Sequence, residues 1–204
     1  MSRDKRILSS NGELEEKEKE NNREIVKSFN DETTLSKETR LLIIGTLTPP
    51  NTKYFYCSYY NRIYGYIDEA LKQLGKSGEK TLKELKRGFQ SVQNKVADID
   101  LLTDADIESN KDKIKEILKQ NGIAFYDVVD KAIRKKETSY DKDIMYFTLA
   151  NVKEVGPRTT IIVNSDLAFA CAKEIGFKID EKNKLSQRWD KKEKWVEAIK
   201  AAIK

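Results

Sequence analysis

Leu41-Leu42-Ile43-Ile44 is the stretch that most narrows what this chain can fold into. Four consecutive aliphatic residues ending at Gly45 mark a strand buried on both faces, which alternating apolar and polar residues would not do. A strand buried on both faces needs covering layers above and below it. Two further runs have the same character, Ile123-Ala124-Phe125-Tyr126-Asp127-Val128-Val129 and Thr159-Thr160-Ile161-Ile162-Val163-Asn164. Helical spacing separates them, with apolar or aromatic positions at 63, 64, 67, 70, 71 and 74 and again at 114, 117 and 118. Asn121-Gly122 closes the second of these helices, Ser165 or Asp166 caps a helix running to about Gly176, and Trp189–Lys204 is amphipathic. Strands alternating with helices predict a three-layer α/β/α fold around a central, mostly parallel four-stranded sheet. Phe177-Lys178-Ile179 is the expected fourth, edge strand. Ile144-Met145-Tyr146-Phe147 reads as a short helix, and residues 79–98 as a helix that is basic around Lys80, Lys83, Lys86 and Arg87.

Residues 1–23 are almost entirely polar, with the charge run Glu13–Glu20, and read as a charged arm or helix ahead of one domain spanning 24–204. No internal repeat divides that domain. Charged residues make up 36% of the 204 and hydrophobic ones 38%, so part of the chain is expected to be solvated helix outside the core. The formal charge of +5 permits a polyanionic partner without requiring one. The amino terminus lacks an apolar leader core, and no run approaches the roughly 18 apolar residues of a membrane span, so a soluble cytoplasmic protein with no membrane partner is expected. Two cysteines and no histidine argue against a disulfide scaffold and against a metal site. Any catalysis then rests on carboxylates, amides, hydroxyls and backbone dipoles, with no cofactor.

In a parallel sheet the carboxyl ends of the strands share one edge, so Gly45-Thr46, Asp127 and Asn164 are expected to converge. The first strand leads into the polar loop Thr46-Leu47-Thr48-Pro49-Pro50-Asn51 and then into the aromatic segment Tyr54-Phe55-Tyr56 and Tyr59-Tyr60-Asn61-Arg62. Strand, stiff loop, aromatic wall and helix is how α/β proteins build a ligand crevice. Asp127 interrupts an apolar run, where a carboxylate either faces a site or binds neighbouring backbone N–H groups. Asn61 suits catalysis and the N-cap of the following helix equally well. The tyrosines at 54, 56, 59, 60, 64 and 66 suit loop packing as well as stacking.

These residues resemble the uracil-DNA glycosylase superfamily, closest to the branch that includes hypoxanthine- and uracil-excising enzymes. That branch has a G-T/S-F-P-S motif followed by Y-Y-x-x-P-x-N-R/A-F-W. Here the counterparts are Gly45-Thr46-Leu47-Thr48-Pro49, Tyr54-Phe55-Tyr56 and Asn61-Arg62-Ile63-Tyr64. Tyr126-Asp127-Val128-Val129 with Arg134, Ser139, Asp141 and Ile144 is similar to the family's D-V-V and A-x-R-x-x-S-x-D-x-x-I. Ile161–Asn164 with Ala168 is similar to I-x-F-N-G-x-x-A. The resemblance implies hydrolysis of the N-glycosidic bond of a deaminated base flipped out of DNA. The residues leave the oligomeric state open, with a monomer favoured. The resemblance also makes Asn61 and Asp127 the catalytic candidates. Thr46, Leu47, Phe55, Tyr56 and Asn164 would hold the base. Thr48, Lys53, Arg62, Arg134, Ser139, Ser186 and Arg188 would hold phosphate. Two departures keep an alternative open. Leu47 stands where many members place a water-positioning Asp or Asn, and Leu185-Ser186-Gln187-Arg188-Trp189 lacks the proline and histidine of the family's late motif. The alternatives are a catalytically inactive nucleic-acid or nucleotide-binding module of the same fold, and an unrelated α/β protein that takes a small ligand.

Overall fold

The structure, a computed structural model, describes residues 4–48, 52–57, 61–86, 103–135, 140–151, 154–187 and 189–204. In chain order the elements are β1 (Ile7–Leu8), α1 (Asn11–Asn21), β2 (Ile25–Lys27), β3 (Leu41–Gly45), α2 (Ile63–Gln73), α3 (Leu82–Leu85) and α4 (Asp104–Gln120). They continue with β4 (Ile123–Asp127), β5 (Val129–Arg134), β6 (Ile144–Leu149), β7 (Thr160–Val163), α5 (Asp166–Glu174) and α6 (Lys192–Ile203). The fold is mixed α/β.

β3 is the centre, as its aliphatic run requires. It pairs in parallel with β4 on one side and β7 on the other, and all its residues are buried. Leu41 and Ile43 pack with Phe125, Ile162 and the apolar faces of α2 and α6. Leu42 and Ile44 point the other way, among Tyr126, Val163, α5 and the apolar face of a second sheet. The period-two alternation of a strand thus feeds two separate cores. Each fully buried aliphatic side chain is worth about 1.5–3 kcal/mol of transfer free energy. Gly122, at φ 65°, turns the end of α4 into β4 in a conformation that glycine adopts without a Cβ penalty.

The sheet differs from the expectation of one four-stranded, mostly parallel sheet. The parallel sheet has three strands in the order β4-β3-β7, and a separate four-stranded mixed sheet has the order β1-β6-β5-β2. The chain passes from one sheet to the other at Val128. The Val128 and Val129 N–H groups still donate to the Gly45 and Thr46 carbonyls, at 3.0 and 2.9 Å, while Ala150 N–H donates to the Val128 carbonyl. β5 and β6 are antiparallel, with some residues buried and others half-exposed, so their polar positions hide the strand pattern. Ile144–Leu149 is therefore a strand, where its sequence suggested a short helix. Phe177-Lys178-Ile179 forms no strand. Phe177 instead packs edge-on against Tyr126, 6.0 Å between ring centroids.

The charge run near the amino terminus is helical. Ser10 caps α1 by accepting the Glu13 N–H, and Leu14 is buried completely. Of the helix expected over 79–98, Leu82–Leu85 is helical and residues 87–98 lie outside the described set. No described helix is long and apolar enough to cross a membrane.

Candidate functional site

The parallel register places Gly45 beside Asp127, and the Asn164 N–H donates to the Ile44 carbonyl at 3.0 Å. Three chain segments remote in sequence therefore meet at one sheet edge. They open into a cleft of about 780 Å³ whose lining includes Gly45, Tyr56, Asn61, Asp127 and Asn164. Tyr140 and Trp189, the large apolar side chains left exposed among the described residues, both sit on this cleft.

Asp127 is 2% exposed. Its Oδ2 accepts the Thr48 N–H and the Thr48 hydroxyl, both at 2.8 Å, which fixes the loop after β3. Asn30 holds the Asp127 backbone from both sides, donating to its carbonyl at 2.7 Å and accepting its N–H at 2.9 Å. Burial pushes the carboxyl up to about 6, against the pull of the Thr48 bonds and the Arg134 charge. A carboxylate with that value can take a proton from water near neutral pH. The two roles open to Asp127 in the sequence coexist here. Oδ2 anchors backbone, while Oδ1 makes no hydrogen bond among the described residues and lies against Gly45.

A second carboxylate, Asp141, lies on the same cleft. Its Oδ2 accepts the hydroxyls of Thr46 at 3.0 Å and Ser165 at 2.8 Å. Burial holds this carboxyl above the usual carboxylate range too, opposed by those hydroxyls and by Arg134 and Arg6. Arg134 is 4% exposed and donates to the Leu47 carbonyl at 3.2 Å. Burial lowers its value, and the carboxylates of Asp141, Asp127 and Asp143 work against that. This buried guanidinium is the counter-charge for both cleft carboxylates.

Gly45 makes the floor of the cleft possible. A Cβ there would stand 2.6 Å from the Tyr56 hydroxyl and 2.9 Å from Asp127 Oδ1. Neither neighbour is free to retreat. Tyr56 sits at φ 52° with its ring edge-on to Phe125 at 4.9 Å, and its hydroxyl accepts the Asn164 amide N–H at 3.2 Å. Gly45→Ala is expected to cost about 1–3 kcal/mol of stability as an overpacking change, read by thermal unfolding. An unchanged melting temperature would mean that the Tyr56–Gly45 approach is looser than described.

No family model matches the chain, and no curated protein matches it. A solution NMR structure of "a putative Uracil DNA glycosylase from Methanosarcina acetivorans" does match, over 88% of this chain and 99% of its own, with a TM-score of 0.54 at 17% identity. The fold is glycosylase-like. At that identity the likeness is one of backbone arrangement, so the chemistry has to be read from this chain's own side chains.

On this glycosylase-like fold, Thr46, Leu47, Thr48, Tyr56, Asn61 and Asn164 join Asp127 around the cleft, and Ser186 lies on its lining as well. Asn61 Oδ1 accepts the Ile63 N–H at 3.0 Å, but the N-cap of α2 is Arg62, so Asn61 stands one residue ahead of the cap position that its sequence suggested. Phe55 is fully buried among Phe29, Tyr54 and Phe125 and does not reach the cleft. Thr48 spends its hydroxyl on Asp127, and Arg134 is held in the interior. Lys53 is exposed and away from the cleft lining, while Arg62 lines a neighbouring groove. Pro49, Pro50, Asn51, Tyr59, Tyr60, Ser139 and Arg188 lie outside the described residues. Asp141 and Ser165 are the site residues that sequence reasoning left unassigned. Ser165 was legible only as a cap, and it does accept the Ala168 N–H at 3.0 Å, yet the same hydroxyl serves Asp141. No group of three or more cysteine, aspartate or glutamate side chains among the described residues could hold a metal ion.

Proposed function

We propose that the cleft receives a single deaminated base, uracil or hypoxanthine, turned out of a DNA strand, and that the protein hydrolyses its N-glycosidic bond. The observation carrying this reading is the convergence of Asp127, Asn61 and Asn164 on one cleft beside the bare Gly45 backbone. Water adds to the sugar carbon and loses a proton to Asp127, the bond from sugar to base nitrogen breaks, and the departing base takes up a proton. Two carboxylates at the cleft favour the positive charge that grows on the sugar as that bond lengthens. The Asn164 amide, held by the Tyr56 hydroxyl, presents acceptor and donor side by side, the complement of the N–H and C=O edge that uracil and hypoxanthine share. Thr46 and Leu47 line the same cleft, and Tyr56 forms part of its wall. Tyr140 and Trp189 offer rings on which neighbouring bases can stack. The chemistry needs no cofactor.

Incubation with oligonucleotides carrying one uracil or hypoxanthine is expected to create alkali-labile sites. The Asn61 amide would orient the attacking water, so Asn61→Ala is expected to slow this by about 10²–10³-fold, the usual loss on removing one preorganised polar group. Full activity in that variant would remove Asn61 from the mechanism. Leu47, whose side chain cannot position water, favours a second reading, an inactive module that binds nucleic acid in the same cleft. Binding without product would select it.

A further inference from the structure

A second groove of about 690 Å³ lies along α2 and shares Asn61 with the cleft. Its charge is opposite. The cleft lining carries Asp127, Asp141, Asp166 and Asp190. Lys184 pairs with Asp166 and Lys194 with Asp190, both at 2.7 Å, and the buried Arg134 answers the other two, so no described lining residue offers a spare cation. The groove lining carries Arg62, Lys72, Lys83, Lys86 and Lys192 against Asp68 and Glu69. Both of those carboxylates are engaged. Asp68 accepts the Leu82 and Lys83 N–H groups at the start of α3, at 2.8 and 2.9 Å, and Glu69 pairs with Lys192 at 3.3 Å. Arg62, Lys72 and Lys83 have no ion-pair partner among the described residues. Lys86 donates to the Asn61 carbonyl at 2.6 Å, and the Arg62 N–H to Gln187 on the cleft side at 3.3 Å, so the ridge between groove and cleft is the start of α2.

A cleft lined by carboxylates, with every described cation beside it already committed to one of them, offers phosphate no grip. A strand that delivers a base to it must have its backbone neutralised elsewhere, within a nucleotide or two. We propose that the α2–α3 groove is that place, a track for the phosphates of the strand flanking the turned-out base, with Arg62, Lys72 and Lys83 as its cations. This rests on the nucleic-acid reading above and assigns the phosphate grip largely to residues outside the motifs. The basic run around Lys83 and Lys86 then has a purpose beyond solvation.

The test is binding of the full chain to a duplex oligonucleotide of about 20 base pairs across a salt series. Lys72→Glu with Lys83→Glu is compared with Lys19→Glu plus Lys178→Glu, which removes the same charge from exposed positions away from both clefts. Losing two phosphate contacts should flatten the log–log salt slope by about 2 and weaken binding roughly 30-fold near physiological salt. The control pair should keep the slope. Lys72→Gln with Lys83→Gln should flatten the slope in the same way, and circular dichroism confirms the fold of each variant. Equal slopes in the groove and control variants would overturn the track and leave the cleft reading standing. No salt-dependent binding by the unaltered protein would overturn both.

Discussion

Replacing Asp127 with Asn should cut base release by at least about 10²-fold while leaving the protein as stable as before, or more so. An amide oxygen can still accept the Thr48 N–H and hydroxyl, so the loop stays anchored. The carboxylate is a burden on the fold. Its value rises from an ordinary 3.8 to about 6 because burial disfavours the charged form. Between those values the native state holds a proton that the unfolded chain has released, so stability falls as pH rises through the window. The penalty is absent below about pH 4 and complete above about pH 6, on the order of 1–3 kcal/mol for a single group. Asn escapes it. Thermal unfolding from pH 4 to 8 should show the two proteins converging at the acid end and Asp127→Asn ahead at neutral pH. Such an exchange of stability against activity marks a functional carboxylate, and a structural one would lose stability on substitution.

Arg134→Met is expected to cost about 3–5 kcal/mol, because it strips the counter-charge from carboxylates already out of water. The guanidinium also donates to the Leu47 carbonyl, so the loop that carries Thr48 would loosen as well. With that charge gone the Asp127 value should climb further, and any residual activity should shift its acid limb to higher pH. A shift of the urea midpoint reads the first effect. Arg134 at the surface, gripping phosphate, would behave otherwise: the variant would fold normally and lose about one unit of salt slope. A stable Arg134→Met protein with a flatter slope would therefore restore the role that the motif alone suggests.

The residues most readable in the sequence are those whose environment is uniform. Leu41–Ile44, Ile123–Tyr126 and Ile161–Val163 are aliphatic or aromatic throughout because both faces of their sheet are covered, and parallel register then brings Gly45, Asp127 and Asn164 together. Strands with one half-exposed face were harder to see. Lys131 and Arg134 in β5, and Thr148 in β6, break the apolar pattern, so a whole second sheet passed for loop and helix. Charge misled in the same way at Arg134, because nothing local reveals that Asp141 and Asp127 await it in the interior. Phe55 and Tyr56 are neighbours with like side chains, and only the left-handed turn at Tyr56 decides which reaches the cleft. That choice depends on tertiary packing against Phe125.

Free base released from uracil- and hypoxanthine-containing oligonucleotides, followed under single-turnover conditions from pH 5 to 8, tests the role of this cleft most directly. A rate that climbs with pH, levels off above about 6 and disappears in Asp127→Asn is the expected result. Release that ignores pH across that range, or survives the substitution, would contradict the assignment of Asp127, and no release from either base would contradict the excision chemistry itself.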